Sequence, residues 1–288
     1  MNSDRMVELL EVLVPHEGVI RDIIQRVDLF RITQSSPRSP QKYDPSIIIL
    51  AQGHKRIFIG DEVLTYDPLN YLVLSVPLPL ECETTASAEK PMLGIKINVD
   101  AAIVGEILLS IDDTQHNPKF IPKGVYAAPL DHCLTDTATR LLEALASPSD
   151  SRFLGPMIVR ELIYRVLRGE KGEALRALAF RNQRFFQIAK ALNTIHESYS
   201  RKLDVNTLAN EAGMSVSAFH ASFKTVTDTS PLQYIKNVKL HKARLLMVEE
   251  GENANAAAYH VGYESPSQFN REYKRLFGTT PGRDAIHR

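Results

Sequence analysis

The sequence predicts a two-domain α+β protein. A small β-barrel with flanking helices occupies residues 1–182, and an all-α domain with two helix-turn-helix units joined by a linker helix occupies 183–288. Three observations predict this. The length of 288 residues suits about two domains at roughly 150 residues each. Between about 28 and 126, short β-branched runs alternate with Pro and Gly, as in barrels and sandwiches. Beyond about 183 the apolar residues fall at helical spacing, and one helix–Gly–helix pattern occurs twice.

The elements follow in order. Residues 1–27 read as helical, with Val7, Leu10, Val14, Ile20, Ile23, Ile24 and Val27 at helical spacing around a break at Pro15 and Gly18. Ile47–Leu50 is a continuous apolar run, as expected of a buried strand. Arg56–Ile59 and Glu62–Tyr66 flank Gly60-Asp61 and read as a hairpin, because Gly accepts the positive φ of a tight turn. Tyr71–Val76 is a further strand, and Leu93, Ile95, Ile97 and Val99 alternate with Gly94, Lys96 and Asn98. Over about 131–168 two helices carry apolar patches, Leu134/Leu141/Leu142/Leu145 and Met157/Ile158/Leu162/Ile163/Val166/Leu167. These offer a homodimer seam or a cover for the barrel. Glu170–Gln183 reads as a hinge.

Composition excludes several classes. Hydrophobic residues at 44% and charged residues at 24% exclude a mainly disordered chain. Cys82 and Cys133 form no C-x-x-C, which excludes a disulfide scaffold and a zinc knuckle. No apolar run approaches the ~18–20 residues of a membrane span. The first residues carry Asp4, Arg5, Glu8 and Glu11, unlike a signal peptide, so the expected location is the cytoplasm. Lys+Arg and Asp+Glu balance at 34 each, but from Phe186 onward 13 bases face 10 acids, a net of +3. Nucleic-acid binding by the C-terminal part is compatible with that bias.

In the all-α domain Asp204 is a good N-cap, Gly213 the turn and Ser215 the next N-cap, with Phe219 and Phe223 buried. The pattern recurs with a short helix at Asn255–His260, Gly262, Ser265, and Phe269, Tyr273 and Phe277. Gly213 to Gly262 and Phe219 to Phe269 are 49 and 50 residues apart. Ser230-Pro231-Leu232-Gln233 and Ser265-Pro266-Ser267-Gln268 read as capping boxes with Pro at the first helical position. The intervening helix, Pro231 to about Glu250, is roughly 30 Å long at ~1.5 Å per residue. Successive major grooves on one face of DNA lie ~34 Å apart. Such a spacer suits two recognition helices in adjacent grooves.

From about Phe186 to Arg288 the chain resembles the DNA-binding domain of the AraC/XylS family of bacterial transcription regulators. The resemblance is carried by Leu208-Ala209, Ala212-Gly213-Met214-Ser215, Phe219, Phe223-Lys224, Pro231, Tyr234-Ile235, Ala243-Arg244, Leu246, Val261-Gly262-Tyr263, Ser265, Phe269, Tyr273-Lys274, Phe277-Gly278 and Thr280-Pro281. One departure is Ala257, where the family usually has a larger aliphatic. Over about 30–125, Tyr43-Asp44-Pro45-Ser46, Gln52-Gly53-His54-Lys55, Gly60-Asp61-Glu62, Tyr66-Asp67-Pro68, Tyr71-Leu72-Val73 and Leu78-Pro79 resemble the cupin-type sensor domain of a subset of that family. The resemblance implies a cytoplasmic regulator, homodimeric and acting as an activator. Its implied partners are double-stranded promoter DNA, RNA polymerase and an unidentified small-molecule effector sensed by the barrel.

On the first recognition helix the exposed candidates are Ser217, His220 and Ala221, whose positions face base edges by the resemblance, with Lys224 further along. Ser217 and His220 can hydrogen-bond to bases, and Ala221 can touch a thymine methyl. The second helix offers Ser267, Asn270, Arg271 and Lys274. Arg271 can grip guanine O6/N7 and Asn270 adenine N6/N7; either can instead hold a phosphate. Lys224 and Lys274 suit phosphates or solvent. Lys236, Lys239 and Lys242 share a broad face of the linker helix, solvated or steering the DNA backbone.

No cofactor, metal or catalytic residue is expected. The strand region offers His54 and His116 without H-x-H, and the chain has no G-x-S-x-G, Walker loop or G-x-G-x-x-G. Tyr43, Phe58, Tyr66 and Tyr71 are candidates for a barrel lining. The competing functions are a metal-independent cupin enzyme with an accessory DNA-binding domain, and a constitutive DNA binder with a structural barrel. Cys82 or Cys133 as an oxidant sensor competes with a buried, inert thiol.

Overall fold

The computed structural model describes residues 2–59, 62–111, 121–179, 184–248 and 250–285. The chain divides into two compact units, Met1–Phe186 and Gln187–Arg288.

The first unit is α+β. It opens with helix α1 (Asn2–Leu13), followed by strands β1 (Gly18–Ile24), β2 (Val27–Ile32), β3 (Ser36–Tyr43), β4 (Ser46–Gln52), β5 (His54–Ile59), β6 (Glu62–Tyr66), β7 (Asn70–Leu74), β8 (Leu78–Thr85) and β9 (Met92–Asn98). Then come α2 (Ala101–Ser110), β10 (Val125–Pro129), α3 (His132–Leu145), α4 (Pro148–Arg168) and α5 (Glu173–Ala179). The strands form two antiparallel sheets, ordered β1-β2-β9-β4-β7-β10 and β3-β8-β5-β6. All of Ile47–Leu50 is buried, because the larger sheet is covered on both faces at β4; α1 packs on β4 and β9. That explains the uninterrupted apolar run. In β5 burial alternates, with Lys55, Ile57 and Ile59 inside and His54 and Arg56 exposed. The 54–59/62–66 hairpin pairs Ile59 with Glu62, and its Gly60-Asp61 turn lies outside the described residues.

Three expectations are corrected. The helix expected over 1–27 stops at Leu13, and 18–27 joins a β1–β2 hairpin that pairs Ile20 with Leu29. The β-branched residues there satisfy both periods, and Gly18 at φ 138° breaks the helical continuation. Within the strand region, Asp100 accepts hydrogen bonds from the amides of Ala102 and Ile103 and starts α2. Part of the expected hinge is also helical, as α5, packed on α2.

The second unit is helical: α6 (Arg184–Glu197), α7 (Val205–Glu211), α8 (Val216–Thr227), α9 (Pro231–Val248), α10 (Ala254–His260), α11 (Pro266–Phe277) and α12 (Pro281–Asp284). Helix α7 with α8, and α10 with α11, make two helix-turn-helix units. Their turns hold Gly213 at φ 64° and Gly262 at φ 79°. A Cβ at Gly262 would lie 2.1 Å from the Ser200 carbonyl oxygen, so no other residue fits.

Candidate nucleic-acid interface

The two recognition helices are built alike. Ser215 Oγ accepts from the Ala218 amide and starts α8; Ser265 Oγ accepts from the Gln268 amide and starts α11, each at 3.3 Å. The Gln268 side chain does not return to Ser265 as a full capping box requires; its amide donates to Glu272 at 3.1 Å. Each helix ends in a left-handed residue, Asp228 at φ 58° and Gly278 at φ 72°.

Each helix has an aromatic inner face. Phe219 stacks on Phe223 at 5.5 Å between centroids, and Phe223 meets Tyr234 of α9 edge-on at 5.3 Å. In the second helix-turn-helix Tyr263, Phe269, Tyr273 and Phe277 form a chain of rings at 4.5–5.4 Å. Ala257, the family departure, is fully buried in this cluster. These rings are core and are not available to stack on bases.

The opposite faces carry the sequence candidates. Ser217, His220, Ala221 and Lys224 on α8 are all exposed, as are Ser267, Asn270, Arg271 and Lys274 on α11. In both helices the spacing is i, i+3, i+4, i+7, which is one face. None of these side chains has a hydrogen-bond or ion-pair partner among the described residues. Arg271 and Asn270 therefore present free donors to solvent.

The linker lysines, expected to be solvated or to steer the DNA backbone, also make contacts within the fold. Lys236 Nζ pairs with Glu272 at 2.8 Å, Lys239 Nζ donates to the Gly262 carbonyl at 3.1 Å, and Lys242 lies over the Tyr199 ring at 5.5 Å. They brace α9 against its neighbours. Glu272 also accepts from Tyr263 Oη at 2.8 Å. Burial alone would raise its carboxyl, but the bonds from Lys236, Tyr263 and Gln268 outweigh that and hold it below the usual carboxylate range. Asp284 plays a similar part, pairing with Arg244 at 2.7 Å and accepting from Tyr273 Oη at 2.7 Å. The sequence reading missed both carboxylates. The i, i+4 spacing of Gln268 and Glu272 was a legible signal; the contact with Lys236, 36 residues away, was not.

In the first unit the candidate lining divides. Tyr43 and Tyr66 are buried, with hydroxyls 3.5 Å apart, and Tyr71 is buried too. Phe58 is corrected: it is half-buried on the alternate face of β5, beneath the guanidinium groups of Arg38 at 4.2 Å and Arg56 at 5.7 Å. Lys55 is 4% exposed and donates to Gln41 Oε1 at 2.5 Å; burial lowers its pKa. Cys82 is buried beside Tyr43, and burial pushes its thiol up. Cys133, in the first turn of α3, is exposed. His54 is exposed, and His116 lies outside the described residues. Among the described residues no group of three or more His, Cys, Asp or Glu is placed to hold a metal ion, and no helix is long and apolar enough to cross a membrane.

An α+β unit with two antiparallel sheets, joined to a unit with two helix-turn-helix motifs, defines the class of two-domain helix-turn-helix proteins. The family described as AraC-type transcriptional regulator N-terminus matches residues 23–174, and the family described as helix-turn-helix domain matches 208–284. The chain belongs to the AraC-type transcriptional regulators. Similar relatives include the transcriptional regulator AlkR of Acinetobacter baylyi, 30% identical over 95 residues, 33% of this chain and 31% of AlkR. The transcriptional activator RhaS of Enterobacter is 24% identical over 152 residues, with 44% and 55% covered. The chain thus spans about a third to about half the length of these curated relatives. Among solved structures, ToxT of Vibrio cholerae has the same fold at TM-score 0.53, with 10% identity, 90% of this chain and 96% of ToxT covered. Another ToxT structure, with an unsaturated fatty acid bound, also matches at TM-score 0.53.

Proposed function

We propose that the protein is a sequence-specific regulator of transcription whose α8 and α11 faces read duplex promoter DNA, and whose N-terminal unit is a cupin-type sensor of a small molecule. The observation that carries this is the pair of equivalent faces, each with four exposed candidates uncommitted within the described residues. Folded proteins commonly pair or solvate such groups at random; here they recur at matching positions on two like helices. The cap ends at Ser215 and Ser265 offer further amides for phosphates. The two faces are unequal. Arg271 and Asn270 can each make a bidentate base contact, whereas Ser217, His220 and Ala221 offer weaker or apolar ones. The second helix-turn-helix, α10 with α11, therefore carries most of the base discrimination.

The similarity to RhaS, a transcriptional activator, supports activation as the sign of regulation, with RNA polymerase as the partner that activation would require, and the ToxT structure with an unsaturated fatty acid bound supports a ligand-responsive regulator. The dimer seam belongs on α4, where Phe153, Met157 and Tyr164 are 73%, 59% and 39% exposed. Met157, expected inside the apolar patch of that helix, faces out. The chain itself catalyses no reaction in this reading, and works in the cytoplasm.

Selection from a random duplex library tests the reading. The chain enriches two short blocks about one helical turn apart. Arg271→Ala weakens specific binding by about 1–3 kcal/mol and relaxes one base position. Equal loss on every sequence makes Arg271 a phosphate contact, and no enrichment at all refutes DNA reading.

A further inference from the structure

The first unit contains a cleft of about 450 Å3, within the roughly 300–1,000 Å3 of small-molecule sites. Its walls come from β6 (Leu64), the 122–127 segment entering β10 (Pro122, Val125, Tyr126), and Ala174 in the first turn of α5. The acids and bases that line it are paired. Lys123 pairs with Glu62, Lys171 with Glu170, and Glu173 with Arg176 behind the wall. A charged ligand would therefore give up water without gaining an uncompensated counter-charge. Tyr126 is 9% exposed, and its hydroxyl is buried with no partner among the described residues. A buried hydroxyl left unpaired is costly by about 1–3 kcal/mol. Cavity and orphaned donor thus occur together, on elements unrelated to the DNA-reading faces.

We infer that this cleft is the effector site, and that it takes a neutral, largely apolar molecule carrying one hydrogen-bond-accepting oxygen, to which Tyr126 donates after a small ring shift. The inference rests on reading the first unit as a sensor. It also supplies a route for the signal. The wall residue Ala174 lies in α5, which ends at Ala179, seven residues before the boundary at Phe186. Occupancy stiffens the start of α5, the last helix lying wholly in the first unit. A ligand shifts an equilibrium only by its differential affinity for the two states, and contact with α5 provides such a difference.

Acetophenone tests this on the full chain, with benzoate as an anion of like size; calorimetry gives affinity and hydrogen exchange reports on the amides of 173–179. The expected result is saturable acetophenone binding, benzoate at least about tenfold weaker, and slower exchange in α5 on binding. Leu64→Trp, which fills the cleft, abolishes binding. Tyr126→Phe weakens it about three- to tenfold, the factor of one net hydrogen bond, while thermal stability stays equal or rises. A tyrosine serving only the fold would instead lose stability on this change. Overturning results are absence of binding, binding indifferent to Leu64→Trp, equal binding of benzoate, or unaltered affinity with lower stability in Tyr126→Phe. These measurements need no DNA. Failed binding by a chain that still selects duplex sequences refutes the cleft alone, whereas failure of the library selection refutes the regulator reading.

Discussion

Glu272 is the residue through which the account of the second unit is most exposed to test. Its side chain is 12% exposed and that of Lys236 is 29% exposed, with Nζ and Oε1 2.8 Å apart. Oε2 accepts the Tyr263 hydroxyl, and Oε1 also accepts the Gln268 amide. Glu272→Gln preserves size but turns one acceptor into a donor and leaves the Lys236 ammonium unpaired. Breaking a fully buried pair costs about 3–5 kcal/mol and an exposed one at most about 1. With partners of this exposure the loss is about 2 kcal/mol, roughly thirtyfold in the opening equilibrium of α11. Hydrogen exchange of the α11 amides in the full chain measures it. Lys236→Met on the Glu272→Gln background restores much of the loss, because the unpaired charge is gone. The sign with pH follows from the depressed carboxyl: the contribution is present above the ordinary carboxylate value and is lost as pH falls through the folded value. A Glu272→Gln chain with unchanged α11 protection, or strictly additive double-variant effects, refutes the bracing of α11 by this carboxylate.

Lys224→Ala reduces the salt dependence of DNA binding by about one counterion while leaving base preference unchanged; an altered preference in the selected sequences contradicts a phosphate role. Phe153→Glu with Met157→Glu dissociates the proposed homodimer without unfolding the chain, read by sedimentation; a persisting dimer moves the seam off α4. His241 is packed edge-on to Phe277 at 5.2 Å, and burial, with the nearby Arg244 charge, lowers it to about 3. It stays neutral in the folded state while the unfolded chain protonates it below its ordinary 6.5. Its share of stability is therefore full above pH 6.5 and declines by at most about 1.4 kcal/mol per pH unit as pH falls toward 3. Urea melts between pH 6.5 and 5 detect this, and a His241→Gln chain with the same slope there refutes it.

The second unit was far more legible in sequence than the first, and the reason is physical. Its order is local: Ser215 and Ser265 cap amides three residues on, Gly213 and Gly262 turn the chain, and the aromatic stripe repeats every four residues. Such features occupy adjacent positions in the sequence. The first unit is held by pairings such as Arg26 with Asp100 across 74 residues, which no local period records. Residues 18–27 show the ambiguity directly, since Ile20, Ile23, Ile24 and Val27 suit either period and only pairing with β2 decides for strand. The α2 helix was announced by its cap Asp100 and by Ile103, Val104, Ile107 and Leu108 on one buried side, but lay inside a region with strands before and after it. Within the candidate site, the exposure of the Ser217 and Ser267 faces was legible from period, whereas their orientation toward base edges came from the resemblance. Glu272 and the fates of the linker lysines were not, because each depends on a contact between helices far apart in the chain.

Hydroxyl-radical footprinting with methylation interference on a selected duplex tests the central claim most directly. The account predicts two major-groove contacts about ten base pairs apart on one face of the helix, with the block lost in Arg271→Ala being the more strongly specified of the two. A single protected groove, or two contacts on opposite faces of the duplex, contradicts it.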